Sequence, residues 1–528
     1  MQSRLLLVCL LLSPALVFAQ EIEESATTQT IYYIEDIRFD ITGRTLETAL
    51  LRVSELKKGE QFADVGSLEK YLQDTEQLLK NQRVLENVEI SYELKEPVEG
   101  RTPITLSVKT VDTHNFIILP EPKFSSSNGL EVELKARDYN LFGSMTPLRF
   151  DLGYELEADD LWEWEKGALT LSIDSDLPFQ AFGFDWNFNF DHDFKYTFGE
   201  EPLYYKNISG ISIDIPWKRT TFTFGFEENF IFNERNNDAY KPDFGDVNLF
   251  YMSSELYMAW KILFGFDVGP FGELSYTPKV SEKINYAPGG VDDLHKGPYA
   301  TISHSLGFGK TNWIENYREG FTASLENSNS FNSYRGDWSV NWGVTAKGYK
   351  KITDLFGLFG FGVSSRAVFK QWFFTNSFKD GKYPAYNNVG DFLRGVKDNT
   401  IIAEDGDVLF SFSVDFPLQV LHFVPSEWFH TRSLRYFNFD FHISPFIDIA
   451  FTNGKKDVEW NSGFYQMPPA KDADFSPLVA AGLEVIVFPL TWRSFYLRIS
   501  VGYNINKRIE ERDMVVYDEV FIGVGHEY

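Results

Sequence analysis

Between residues 116 and 528 the chain repeats one device, the alternation of aromatic and polar side chains. Phe184, Trp186, Phe188 and Phe190 are interleaved with Asp185, Asn187, Asn189 and Asp191. Phe222, Phe224 and Phe226 alternate with Thr221, Thr223 and Gly225, and Phe437, Phe439 and Phe441 with Asn438, Asp440 and His442. A strand turns successive side chains to opposite faces, so this period places every ring on one face and every polar group on the other. In a water-soluble sandwich the apolar face is core. In a barrel held in lipid it is the outer wall, and the polar face lines the lumen. Length separates the two. Roughly 400 residues of alternating strand, without helical period or internal repeat, exceed the ~100 residues of an immunoglobulin-like sandwich. They fit an all-β transmembrane barrel of about 16 antiparallel strands, each of ~10 residues, with short turns at one end and long loops at the other. The expected loops are the polar stretches 227–246, 277–296, 376–405 and 452–474.

Composition agrees with a barrel. Phe, Tyr and Trp make up 17% of the chain, yet mean hydropathy is −0.24. Lipid-facing and lumen-facing residues cancel in such an average. The one long apolar run, 5–18, follows Arg4 and ends in Val17-Phe18-Ala19. It is too short to span a bilayer as a helix, which takes roughly 20 residues, and it has the layout of a signal peptide over 1–19. Residues 20–30 read as a flexible leader. Cys9, the only cysteine, lies inside that run, so disulfides and thiolate metal sites are not expected in the mature chain. Against 49 Lys and Arg stand 76 Asp and Glu, a formal charge of −27. That argues against nucleic acid as a partner. The eight His residues show no metal-ligand spacing, and no catalytic set is apparent. Neither enzyme activity nor a cofactor or metal is expected.

Residues 31–112 have a different texture. Ile34, Ile37, Phe39 and Ile41 belong to a strand-like run ending at Thr42-Gly43. Leu46, Ala49, Leu50 and Val53 fall at helical spacing behind Thr45, a candidate cap. Ser67 opens a second helix with Leu68, Tyr71, Leu72, Leu78 and Leu79 on one face. Two strands follow, around 84–94 and 104–108. The order β-α-α-β-β resembles a POTRA domain, the periplasmic module of outer-membrane assembly proteins. Echoes of that module are Ile37-Arg38-Phe39-Asp40-Ile41-Thr42-Gly43, Lys58-Gly59-Glu60 and Arg83-Val84-Leu85-Glu86-Asn87-Val88, with Leu85 in the usual aromatic place.

Within the segment 113–528 four stretches resemble the BamA/TamA-type outer-membrane assembly superfamily, the bacterial surface antigen family, in the family's order. Asp138-Tyr139-Asn140-Leu141-Phe142-Gly143 is similar to its turn between the first two barrel strands. Gly390-Asp391-Phe392-Leu393-Arg394-Gly395-Val396 is similar to its Arg-Gly motif in the sixth long loop, with Val396 replacing an aromatic. Pro445-Phe446-Ile447-Asp448-Ile449-Ala450 is similar to its Phe-x-Asp-x-Gly strand, with Ala450 in place of Gly. The C-terminus, through Phe521, Gly523, Gly525 and Tyr528, resembles the closing-strand signal.

The resemblance implies an inserted loop. Arg394, beside Gly395, would meet Asp448 and Phe446 as an intraluminal latch, through a charge-assisted and stacked contact. Losing one partner would cost ~3–5 kcal/mol if the pair is dry and about 1 kcal/mol or less if it is wet. It also implies an outer-membrane protein, its N-terminal domain in the periplasm, that inserts other barrels. Its partners would be the lipid bilayer, unfolded outer-membrane proteins, and periplasmic chaperones or accessory lipoproteins. A polypeptide-secretion pore of the two-partner type and a diffusion porin or structural barrel remain the alternatives.

Overall fold

The computed structural model describes residues 31–525 except 99, 126–128, 157–163, 200–202, 233–249, 269–271, 288–289, 292–295, 356–358, 375–386, 389–391, 395–401, 405–407, 453–454, 458–476, 495 and 506–518. The expected signal peptide and leader, Gly395, Val396 and Tyr528 lie outside the described residues.

Near the N-terminus, β1 (Ile31–Thr42), β2 (Gln61–Phe62), β3 (Leu85–Leu94) and β4 (Arg101–Asp112) form a sheet in the order β2-β1-β4-β3. Helix α1 spans Glu47–Ser54 and α2 spans Val65–Asn81. Two local details differ from the sequence expectation. Thr45 does not cap α1; its hydroxyl donates to Asp112 Oδ1 at 2.7 Å. Asp64, not Ser67, serves the start of α2, accepting the Ser67 N–H at 2.7 Å. By internal packing the chain divides into two compact units. One holds 31–38, 57–74 and 90–108 of the described residues, cored by Ile34, Leu68, Ile104 and Leu106. The other holds 39–56, 75–89 and 109 onward.

That second unit contains a closed antiparallel barrel. It opens with β5 (Phe116–Ser125), β6 (Gly129–Asp138) and β7 (Leu148–Leu156). Ten strands follow, from Ala168–Ala181 to Phe359–Phe374. Next come an interrupted strand (Val408–Asp415 and Leu418–Phe423), then Phe439–Thr452, Leu478–Pro489, Tyr496–Asn504 and Glu519–Gly525, which closes beside β5. The interruption falls at Phe416-Pro417, where proline has no N–H for the ladder.

Three sequence expectations need correction here. Among the described residues the barrel has eighteen strands, counting the interrupted one once, rather than about 16. Tight turns such as 182–183, where Phe182 (φ 55°) and Gly183 (φ 80°) both take the left-handed conformation, use little chain and leave more for strands. The turn at 138–143 joins β6 to β7, the second and third barrel strands, not the first two. The proline-bearing β5 precedes them. Finally, 227–232 and 277–286 are strand, not loop. Glu227, Lys279 and Lys283 alternate with Phe230, Val280 and Ile284, which is the barrel pattern itself.

The two faces behave as lipid physics requires. Leu256 (63% exposed), Ile302, Trp342, Phe412 and Ile447 point outward, while Ser444, Asp448 and Glu484 point inward and are buried. A closed sheet with an apolar exterior leaves no backbone edge in hydrocarbon, so this barrel spans a membrane.

Candidate functional site in the barrel lumen

Four neighbouring strands supply an acidic wall. The register places Ser413, Asp448 and Ala480 in one row, and Asp415, Phe446 and Gly482 in the next. Ser444, Glu484 and Ser500 form the third. Since pairing partners share a face, Asp415, Asp448 and Glu484 converge from three strands. Their side chains are 9%, 1% and 0% exposed.

Arg394, from the long connection before Val408–Asp415, meets all three. Its backbone N–H and Nε both donate to Asp448 Oδ2 at 2.9 Å, and Nη2 donates to Asp448 Oδ1 at 2.7 Å. Nη1 donates to Glu484 Oε1 at 3.1 Å and to Asp415. The guanidinium carbon lies 3.9 Å from the centroid of the Phe446 ring. This is the forked geometry for which arginine is suited and lysine is not. Glu484 is shared further: Arg498 donates to it from Nε at 3.0 Å and from Nη2, and Ser500 donates at 2.9 Å. Ser364 donates to Asp415 at 3.2 Å. Two guanidinium groups thus sit among three carboxylates.

Packing positions the cluster. Leu393 is buried with Leu409, Ala450, Leu478 and Ala480, and Phe392 packs against them. Ala450, which stands where the resembling family has Gly, therefore contributes a methyl to the seat of the loop. Gly482 makes room for the latch ring. A Cβ there would overlap both the Phe446 ring and the Val501 carbonyl oxygen. Gly482→Ala is accordingly expected to lower stability by about 1–3 kcal/mol, the range for overpacking, read as a fall in the temperature at which the barrel unfolds in detergent.

The other candidate residues fall elsewhere. Asn140 in the β6–β7 turn is fully buried; its amide nitrogen donates to Thr45 Oγ1 at 2.7 Å, and its oxygen accepts the Met145 N–H at 2.8 Å. Asp138 pairs with Arg44, and the Gly143 carbonyl accepts the Leu46 N–H at 2.9 Å. Gly143 has φ +80°, and a Cβ would overlap the Arg44 carbonyl. Leu141 is buried and Phe142 is exposed. What resembles a plain turn is a dock for residues 44–46. Asn140→Ala should cost about 1–3 kcal/mol, since it strands the buried Met145 N–H; limited proteolysis near residue 44 measures it. Phe521, Gly523 and Gly525 lie in the closing strand, opposite Ser500, Arg498 and Tyr496.

Sequence reasoning missed Asp415, Glu484 and Arg498. The available signal was a charged residue at a lumen-facing position of a strongly apolar strand, as in Leu483-Glu484-Val485.

It also missed Arg83, which is 4% exposed and sits at the barrel's turn end. Its guanidinium stacks 4.3 Å from the Trp313 centroid and 5.7 Å from that of Phe488. It donates to the Arg493 carbonyl and, at 3.2 Å, to Asn316 Oδ1. Nearby, Asn81 accepts the Trp313 N–H at 2.9 Å, and Gln77 donates to the Trp313 carbonyl at 3.0 Å.

No protein-family model matches the chain, and no curated protein matches it. Solved structures do. BamA from Haemophilus ducreyi lacking POTRA domains 1–3 is 12% identical over 90% of this chain and 81% of that one, with a TM-score of 0.35. CdiB from Acinetobacter baumannii is 12% identical over 90% and 70%, with a TM-score of 0.44. CdiB from Escherichia coli is 11% identical over 94% and 74%, with a TM-score of 0.46.

Proposed function

We propose that this chain is an outer-membrane barrel that inserts or assembles other β-barrel proteins. The turn end and the POTRA-like region face the periplasm in this reading, and the long connections face outward. One observation carries it: the barrel closes on two strands that carry glycine and proline. Among its described residues the closing strand, Glu519–Gly525, carries two glycines, which give no side chain to pack. Its partner β5 contains Pro120 and Pro122, which offer no N–H to a neighbour. A seam with glycines on one strand and prolines on the other opens at low cost, and its freed edge templates an incoming strand. The Arg394 cluster supports the same reading, because it ties the interior side of the wall while the seam works. The POTRA-like region would receive unfolded outer-membrane proteins, directly or from periplasmic chaperones and accessory lipoproteins.

Reconstitution into liposomes with an unfolded barrel substrate tests the proposal. Folding of the substrate should be faster than in empty liposomes, and equal rates would exclude insertase activity. A second reading, a polypeptide-secretion pore, is favoured by the lumen groove of about 480 Å³ lined by Glu255, Lys279, Ser281, Lys283, Thr301 and Ser328. In that case the same liposomes would admit an unfolded polypeptide to their interior without inserting a barrel. A diffusion porin would instead show steady conductance and neither polypeptide effect.

A further inference from the structure

The lipid-facing wall of the four strands from Phe184–Thr197 to Phe250–Asp267 is crossed by a line of polar groups. Pairing register puts His192 beside Asn207, Ser209 beside Glu228, and Glu228 beside Ser254. The same face carries Phe188, Ile211, Phe226 and Leu256, all exposed, so these polar groups point outward and not into the lumen. The line continues on the next strands through Glu282, paired with Leu256, and His304, paired with Pro278.

Its height is informative. On Phe184–Thr197 the rings of Phe184, Trp186, Phe188 and Phe190 lie below His192. Eight residues at ~3.4 Å each, tilted by ~40°, raise His192 about 20 Å above Phe184, near the top of a ~25 Å apolar band. Polar groups at that level meet the headgroups of the leaflet at the loop end. Yet rings continue above them. Phe194 stacks on Tyr205 at 4.5 Å, and Tyr205 lies 5.8 Å from Phe230.

The polar groups are organised. The Tyr205 hydroxyl is 2.9 Å from His192 Nδ1, and Asn207 Nδ2 donates to Ser209 at 2.9 Å. Ser254 donates to Glu228 Oε2 at 2.6 Å, while Glu228 Oε1 is buried without a hydrogen-bond partner among the described residues. No Lys or Arg occupies an outward position among the described residues of these four strands. A phosphate headgroup would therefore meet a carboxylate and no cation from the described residues of these strands, which disfavours it. An uncharged ligand rich in hydroxyl donors, with C–H faces to lay on rings, fits both the acceptors and the aromatics.

We propose that this patch, centred on Asn207 and Glu228, is a binding site for the uncharged sugar headgroup of a glycolipid in the leaflet at the loop end. Sugar hydroxyls exchange hydrogen bonds with Asn207 and Ser209 and donate to the half-buried Glu228 carboxylate. The rings of Phe194, Tyr205 and Phe230 cover the sugar's C–H face. The site is independent of what passes through or along the barrel.

The test uses the full chain in phosphatidylethanolamine nanodiscs containing minor fractions of a monoglycosyl diacylglycerol and of phosphatidylglycerol. Lipids retained after release into detergent are counted by native mass spectrometry. The glycolipid should be enriched several-fold over its bulk share. The double substitution Asn207→Leu with Glu228→Leu should abolish that enrichment, and Glu228→Gln, which keeps the shape, should reduce it. Leucine on the lipid face does not oppose folding; heat-modifiable migration confirms the folded fraction, and Glu228→Gln decides alone if the double variant does not fold. Absence of enrichment, enrichment unchanged by these substitutions, or enrichment of phosphatidylethanolamine or phosphatidylglycerol instead would overturn the proposal.

Discussion

Replacing Arg394 with alanine should release the inserted loop and lower barrel stability by about 3–5 kcal/mol, the cost of breaking a buried ion pair. The higher range applies because the three carboxylates it serves are at most 9% exposed. Removing the guanidinium leaves Asp448 with no side-chain donor among the contacts described, and Asp415 with only Ser364. The loop is then held only by the apolar seat of Leu393 and the backbone N–H of residue 394 on Asp448. Arg394→Lys should recover little, since one ammonium cannot serve Asp448 twice while also reaching Asp415 and Glu484. In the double-mutant cycle with Asp448→Ala, the two losses should be strongly non-additive. Unfolding temperature in detergent and protease cleavage within 389–401 read the structural effect. In the liposome assay Arg394→Ala should slow substrate insertion at least tenfold if the latch is part of the insertase. Wild-type stability in Arg394→Ala would remove the latch.

The barrel itself is written in local pattern. A period of two needs no knowledge of distant residues, so the Phe184 and Phe222 runs announce strands, and their length announces a closed wall. Strand number is less legible, because it depends on how much chain the turns use. The pairing of Arg394 with the strand at Asp448 rests on resemblance between motifs and on opposite charge, both visible in one dimension. The other two acids are not, because Asp415 and Glu484 become neighbours only when the register of three strands is fixed. A shift of one residue would turn each of them to lipid. The segment at 138–143 shows the same limit. Its glycine and asparagine declare a turn, yet the burial of Asn140 depends on Thr45, nearly a hundred residues earlier.

Arg83 presents the sharpest case of this kind, and the second large effect is expected there. Nothing around residue 83 in the sequence marks it as buried, and burial pushes its pKa down to about 9, with Arg493 nearby adding to the fall. A cation kept in such a place must be held by other means. Here these are the faces of Trp313 and Phe488 and the oxygens of Arg493 and Asn316. Stacking contributes up to ~2 kcal/mol when desolvated, and charged hydrogen bonds ~1.5–3 kcal/mol each. Against these stands the cost of desolvating the guanidinium, so Arg83→Ala should lose about 2–4 kcal/mol net. Arg83→Met separates the contributions. It refills the volume without the charge, and should restore most of the unfolding temperature while failing to hold the Arg493 carbonyl. Hydrogen exchange of 75–89 is the discriminating measurement. If the hydrogen bonds fix that segment, exchange there rises in both variants although only Arg83→Ala is unstable. If packing alone fixes it, Arg83→Met exchanges like wild type, and the guanidinium has no positioning role.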